Sequence, residues 1–240
     1  MLSKFDLECV LGNAMKNRSN CFIVLAAALC VMPAANAEMT ASGKFDFTLF
    51  SAKGAVISDR VVVDDAFGEK HGIKIRAPFE FQVPRVKGVK RYARYAKELN
   101  GSEIKIIFGT EKQEFIESIQ LNGFIVKADQ LKERQRQSAS YLKNVVWKQI
   151  TEKQGDRRID VLRDTTVNDH PAVELIGRYV DIREKENGTL LTRLVAVLHE
   201  DSDQGIIATI NIAKRFVDVS NDEEMAKTAS AWMLRSVKFN

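Results

Sequence analysis

All three cysteines of this chain, Cys9, Cys21 and Cys30, precede residue 38. The last two lie in a segment that reads as a signal for export. Lys16 and Arg18 supply a basic start, residues 21–32 form an apolar run that Pro33 ends, and Ala35-Asn36-Ala37 provides the small side chains a signal peptidase requires. Cleavage after Ala37 leaves Glu38 as the first residue. What remains must fold without a disulfide, a thiolate nucleophile or a thiolate-bound metal, so its core holds it together unaided. The apolar run of about 12 residues falls short of the roughly 20 that span a bilayer, which favours a cleaved signal over a permanent anchor. Leu29 before Cys30 and Asn20 before Cys21 do not suit lipid attachment. Asp6 and Glu8 place negative charge ahead of the run, against the usual pattern, so Met15 is read as the initiator. The expected location is the periplasm or the secreted fraction, with no transmembrane segment after cleavage.

The 240 residues carry 36 basic and 32 acidic side chains, a formal net charge of +4. That near-balance excludes a polycation of the histone kind and leaves room for a local patch. Roughly 200 residues after the signal suffice for one domain with a sizeable core. Residues 1–37 are therefore read as signal and 38–240 as a single domain; any subdivision falls near Gly101 or Gly123. Internal repeats and linkers rich in proline or serine are missing from the sequence.

Alternating apolar and polar side chains predict strands over 44–50 (KFDFTLF), 55–63, 73–76 and 79–83, the last ended by Pro84, and β-branched content predicts another over 104–108. Residues 92–99 read as a short helix or turn. Residues 111–121 have helical spacing, with Phe115, Ile116 and Ile119 on one side and Asn122-Gly123 as the break. The longest helix is predicted over 127–149, with a solvated first half; the alternative is a break near Asn144 with residues 145–150 becoming a strand. A strand over 158–163 leads to a turn at Asp169-His170-Pro171. Strands 172–183 and 190–199 flank Asn187-Gly188, a strong hairpin signal, and a second turn at 201–205 leads into 206–216. These three strands form an antiparallel meander. Ser220 to Glu223 has capping-box spacing and opens a helix whose face of Met225, Ala229, Trp232 and Met233 covers the meander. Residues 236–239 return as a final strand. The sum is α+β: a central antiparallel sheet flanked by helices.

The order of elements from about Arg158 onward resembles the PsbP-like superfamily, which includes the Ran-binding Mog proteins. The resemblance rests on the run Asn168-Asp169-His170-Pro171-Ala172 leading into a strand and on the Asn187-Gly188 hairpin. The strand over 205–216, the capped helix over 221–235 and the closing Arg235-Ser236-Val237 complete it. It implies an α/β/α sandwich and action by binding partners, with no shared catalytic residues to carry over.

Catalytic signatures are sparse. The histidines are His71, His170 and His199. His170 and His199 with Glu200 or Asp201 have the chemistry of a zinc site but not a known ligand spacing. His-Glu-x-x-His, Gly-x-Ser-x-Gly and Gly-rich phosphate loops do not occur. Asp64-Asp65 would point to opposite faces of a strand, and Glu223-Glu224 would offset the dipole of a first helical turn. Neither pair is read as a catalytic dyad, and no cofactor or metal is expected. Residues 127–136 mix Lys127, Lys132, Arg134 and Arg136 with Asp129 and Glu133, as an ordinary exposed helix face does.

One surface stands out. Arg85, Lys87, Lys90, Arg91, Arg94 and Lys97 fall within a stretch free of Asp and Glu, interleaved with Tyr92 and Tyr95. A helix over 90–97 would align Lys90, Arg94 and Lys97. Such a patch concentrates anions. In an exported protein these are phospholipid or lipopolysaccharide headgroups, a glycan, or an acidic envelope protein, and not nucleic acid. The expected function is non-enzymatic binding of a protein partner or an anionic envelope component. The alternative is an exported hydrolase with a motif-free site that depends on His170 or His199.

Overall fold

In a computed structural model of the protein, residues 38–39, 45–46, 57–98 and 101–240 are described. The export signal over 15–37 lies outside them, as does most of the strand expected over 44–50. Within that segment, β2 (Phe45–Asp46) pairs with β1 (Glu38–Met39).

Two sheets organise the rest. The larger has seven strands: β5 (Lys90–Glu98), β6 (Gly101–Gly109), β7 (Phe115–Ile125), β8 (Gly155–Val167), β9 (His170–Val180), β10 (Thr189–Leu198) and β11 (Gln204–Ala213). Their spatial order is β5-β6-β7-β11-β10-β9-β8 and every pairing is antiparallel. The smaller sheet joins β3 (Ser58–Val63), β4 (Phe79–Pro84) and β12 (Lys238–Phe239) in the order β12-β4-β3. Helix α1 (Asp65–His71) follows β3. Helices α2 (Leu131–Tyr141) and α3 (Trp147–Thr151) are joined by a π turn at Leu142–Val146, and α4 (Asp222–Ala226) and α5 (Ala229–Arg235) precede β12.

The large sheet is apolar on both faces, because β9, β10 and β11 are near-continuous apolar runs rather than alternating ones. One face presents Val173, Leu175, Leu194, Ala196 and Ile207 to Leu142 and Trp147 of the α2–α3 segment. Gly177 makes this close approach possible: a Cβ there would lie 2.5 Å from Cη2 of Trp147. The opposite face presents Ile104, Phe108, Ile119, Val195, Ile206 and Ile210 to Phe79, Phe81, Met233 and Val237. The expected α+β architecture holds, with one addition. The cover on this second face is itself a small sheet with α5 beside it.

The meander, the final strand and the long helix match the sequence reading, but the strand weighed over 145–150 does not form, because a π turn at Leu142–Val146 carries the helix on into α3. Several local expectations do not. Residues 90–98 form strand β5, not a helix, because hairpin pairing with β6 overrides weak local preference. Residues 115–125 form strand β7. Phe108 pairs with Glu117 and Gly109 with Phe115, so Ile116 is an extra residue on β7. That bulge turns Ile116 toward the same core as Ile119 and Leu121, which imitates helical spacing. Residues 73–76 form no strand. The tight turn before β9 is Asn168-Asp169, both at positive φ (48° and 66°), and His170 already belongs to the strand. The capping box sits one residue later than expected. Asn221 accepts from the Glu224 amide, while Glu224 Oε2 accepts from the Ser220 amide and hydroxyl. Asp64 is not on a strand but caps α1, accepting from the Phe67 amide at 2.8 Å.

Arg134 departs most from the exposed helix face expected over 127–136. It is 5% exposed, and its guanidinium donates to the carbonyls of His199, Glu200 and Ser202. It thereby ties α2 to the turn between β10 and β11.

Candidate functional site

Strand β5 is an edge of the large sheet, and alternation along it divides the predicted basic patch in two. Arg91 and Tyr95 point toward the layer that carries β3, β4 and α1. Nη2 of Arg91 donates to Oδ2 of Asp59 at 2.7 Å, and Nη1 donates to the Val83 carbonyl at 3.3 Å. Arg85, just after β4, donates to Oδ1 of the same carboxylate at 2.6 Å. These two guanidinium groups hold the Asp59 carboxyl down to about 2. The Tyr95 ring packs against Phe67 at 5.2 Å and His71 at 4.3 Å, and burial raises its phenol pKa. Arg85 and Arg91 therefore share one carboxylate and Tyr95 packs into the fold, so these three serve the structure of this edge.

Lys90, Tyr92 and Arg94 face the other way and are exposed. Register places Tyr92 opposite Ile107 and Arg94 opposite Lys105 of β6. Among residues whose side chains are described, Lys90, Arg94 and Lys105 have no carboxylate within ion-pair distance. Lys87 is exposed in the turn before β5, where Gly88 takes a φ of 76°. Lys97 lies on β5 opposite Ser102. Lys90, Tyr92 and Arg94 thus share the outer face of β5, and beside them on β6 lie the half-buried Lys105 and Ile107, which the sequence reading missed. The signal for Lys105 was present: in Ile104-Lys105-Ile106 it must face away from its two buried neighbours.

Like charges directly opposite on paired strands are destabilising. Arg94 and Lys105 are such a pair, and alternation puts Glu98 and Glu103 further along the same face. The outer face of β5–β6 therefore gathers Lys90, Arg94 and Lys105 around Tyr92.

The histidines contribute differently from the metal site considered for them. His170 and His199 sit on either side of Phe239, edge-on at 5.0 Å and 5.2 Å. Nδ1 of His199 accepts from the Asp201 amide at 3.1 Å. Among the described residues no group of three His, Cys, Asp or Glu side chains could hold a metal ion.

Two further depressions carry charge. An open groove of about 690 Å³ beside α3 is lined by Lys143, Trp147, Lys148, Glu152, Arg157 and Arg158. Part of its charge is engaged, since Arg157 donates to the Thr151 carbonyl and Arg158 pairs with Asp160. A smaller cavity of about 160 Å³ lies between β8–β10 and α4–α5 and gathers Arg163, Glu174, Arg193, Asp222 and Arg235.

No protein-family model and no curated protein matches the chain. Among solved structures it is similar to cyanobacterial PsbP from Synechocystis sp. PCC 6803, at 11% identity over 79% of this chain and 96% of that one, with a TM-score of 0.47. It is also similar to the Ran-binding protein Mog1p of Saccharomyces cerevisiae, at 13% identity over 77% and 96% of the two chains, with a TM-score of 0.40. The likeness to these two structures spans most of the chain. It is a likeness of fold, and no residue role is carried across it. No helix among the described residues is long and apolar enough to cross a membrane.

Proposed function

We propose that the protein is exported and acts without catalysis, by holding an anionic envelope component or the acidic surface of a partner protein against the outer face of β5–β6. The signal-like segment over 15–37 supports the compartment. The observation that carries the binding surface is the like-charged pair of Arg94 and Lys105 directly opposite one another, with Lys90 and Tyr92 beside them. Arg85 and Arg91 are excluded from this surface because Asp59 already engages both.

Co-purification from the cell envelope tests the reading. The double variant K90E/R94E reverses charge on the open face without touching the Asp59 cluster. It should recover at least about tenfold less partner than the wild type, and wild-type recovery should fall steeply as salt is raised, because exposed charges are screened within about 10 Å at 0.1 M. Undiminished recovery by K90E/R94E would remove this surface from consideration.

A further inference from the structure

The cavity between β8–β10 and α4–α5 is built around a buried carboxylate. Glu174, 1% exposed, lies between two arginines on the flanking strands. Oε2 accepts from Nε of Arg163 at 2.8 Å, and Oε1 accepts from Nε of Arg193. Nη2 of Arg163 also reaches Asp222 at 2.6 Å. Both oxygens of Glu174 are thus occupied, each by one edge of a guanidinium. Among the described residues the terminal nitrogens of Arg193 have no acceptor.

Arg235 enters the same cavity from α5. Its Nη1 donates to the Ala226 carbonyl at 2.7 Å, and it meets no carboxylate among the described residues. Burial and the nearby positive charge of Arg193 lower its pKa. Three guanidinium groups and two carboxylates line the space, which leaves one positive charge in excess. The excess sits on the Arg193–Arg235 side, where two like charges approach each other with donors to spare. Val167, Met225 and Leu234 close the remaining wall.

We propose that this cavity binds a phosphoryl group, held between Arg193 and Arg235 with Arg163 at its rim. A volume of about 160 Å³ is well below the roughly 300 Å³ at which pockets begin to enclose drug-sized ligands, and it suits a single small oxyanion. Donors that approach from β8, β10 and α5 suit a tetrahedral, multiply charged group better than a planar carboxylate, for which one guanidinium fork suffices. Glu174 then acts as a positioning residue: it fixes Arg163 and Arg193 and leaves the terminal nitrogens of Arg193 to the ligand, while Nη2 of Arg163 stays with Glu174 and Asp222. The group arrives as free phosphate or as the ester of a larger molecule whose remainder stays outside.

Isothermal titration at low ionic strength tests the assignment, with inorganic phosphate and glycerol 1-phosphate as probes and acetate as the comparison. Wild type should bind phosphate saturably and acetate at least about tenfold more weakly, as charge-assisted recognition of a multiply charged group predicts. R235M removes a guanidinium without orphaning any carboxylate and should bind phosphate at least about tenfold more weakly. D222N removes a competing negative charge from the rim and should bind it more tightly. K90E/R94E, on the far edge of the sheet, should bind phosphate as the wild type does, so failure of the β5 surface and failure of this site are separable. Comparable binding of glycerol 1-phosphate indicates an esterified ligand, and preference for the free ion indicates phosphate itself; either supports the site. No saturable phosphate heat, acetate bound as tightly as phosphate, or R235M indistinguishable from wild type would overturn it. Should R235M not fold, D222N with unaltered or weaker affinity overturns it equally.

Discussion

Substituting Glu117 with alanine is expected to destabilise the protein by about 3 kcal/mol or more, since buried donors left without an acceptor cost about 1–3 kcal/mol each. Glu117 is fully buried beneath the start of α5. Its Oε1 accepts from the Ala229 amide at 3.0 Å; its Oε2 accepts from the Ser230 amide at 3.0 Å and from the Ser230 hydroxyl. Alanine would strand all three donors and open a void. Urea unfolding of E117A measures the loss, and a change below about 1 kcal/mol would mean that water enters and replaces the carboxylate.

The same residue gives the protein a pH signature. Burial is the dominant influence on Glu117 and raises its carboxyl pKa above 4.5, although the three donors oppose that rise. A carboxyl whose folded pKa exceeds its unfolded one supports the folded state fully below the unfolded value. That support is lost as pH rises through the folded value. Wild type should therefore lose stability relative to E117Q on passing from acid to neutral pH. Urea midpoints for both proteins from about pH 4 to about pH 8 would reveal it, and parallel curves would place the titration outside that range.

Gly177→Val should cost about 3 kcal/mol, the upper end of what overpacking a well-filled core commonly costs. A Cβ at this position would lie 2.5 Å from Cη2 of Trp147 and 2.6 Å from the backbone oxygen of Arg158. The indole can move, but the Arg158 carbonyl belongs to the adjoining strand β8 and cannot yield without disturbing the β8–β9 pairing. Thermal unfolding gives the size of the effect. A red shift in Trp147 emission would show that the ring is expelled from the sheet. An unshifted spectrum with wild-type stability would contradict the packing described.

The sequence made some of this legible because the relevant signals are local. Asn187-Gly188 and the runs on either side of it specify a hairpin whatever else the chain does, and the apolar spacing of Met225, Ala229 and Met233 marks a face that only a core could cover. The failures share one cause, which is dependence on a partner distant in the chain. Residues 90–98 become a strand only because β6 pairs with them. The bulge at Ile116 places two successive side chains on one face, a pattern periodicity mistakes for a helix turn. Arg134 looks like any surface arginine until the turn at residues 199–202 is brought beneath it. The basic patch was visible as composition, but its division into an edge tied to Asp59 and an open face was not, because Asp59 lies on a separate strand. The arginines of the small cavity come from β8, β10 and α5, too far apart in sequence for any spacing to announce them.

The chain has two tryptophans, and the sheet separates them. Trp147 belongs to the core beneath α2 and α3, whereas Trp232 packs against the core on the opposite face. Each indole is thus an optical reporter for one layer and blind to the other. In the single-tryptophan variants W232F and W147F, loosening of one side by heat, denaturant or a bound partner would shift the emission of one indole and leave the other still, so the pair would report the order in which the two layers come apart.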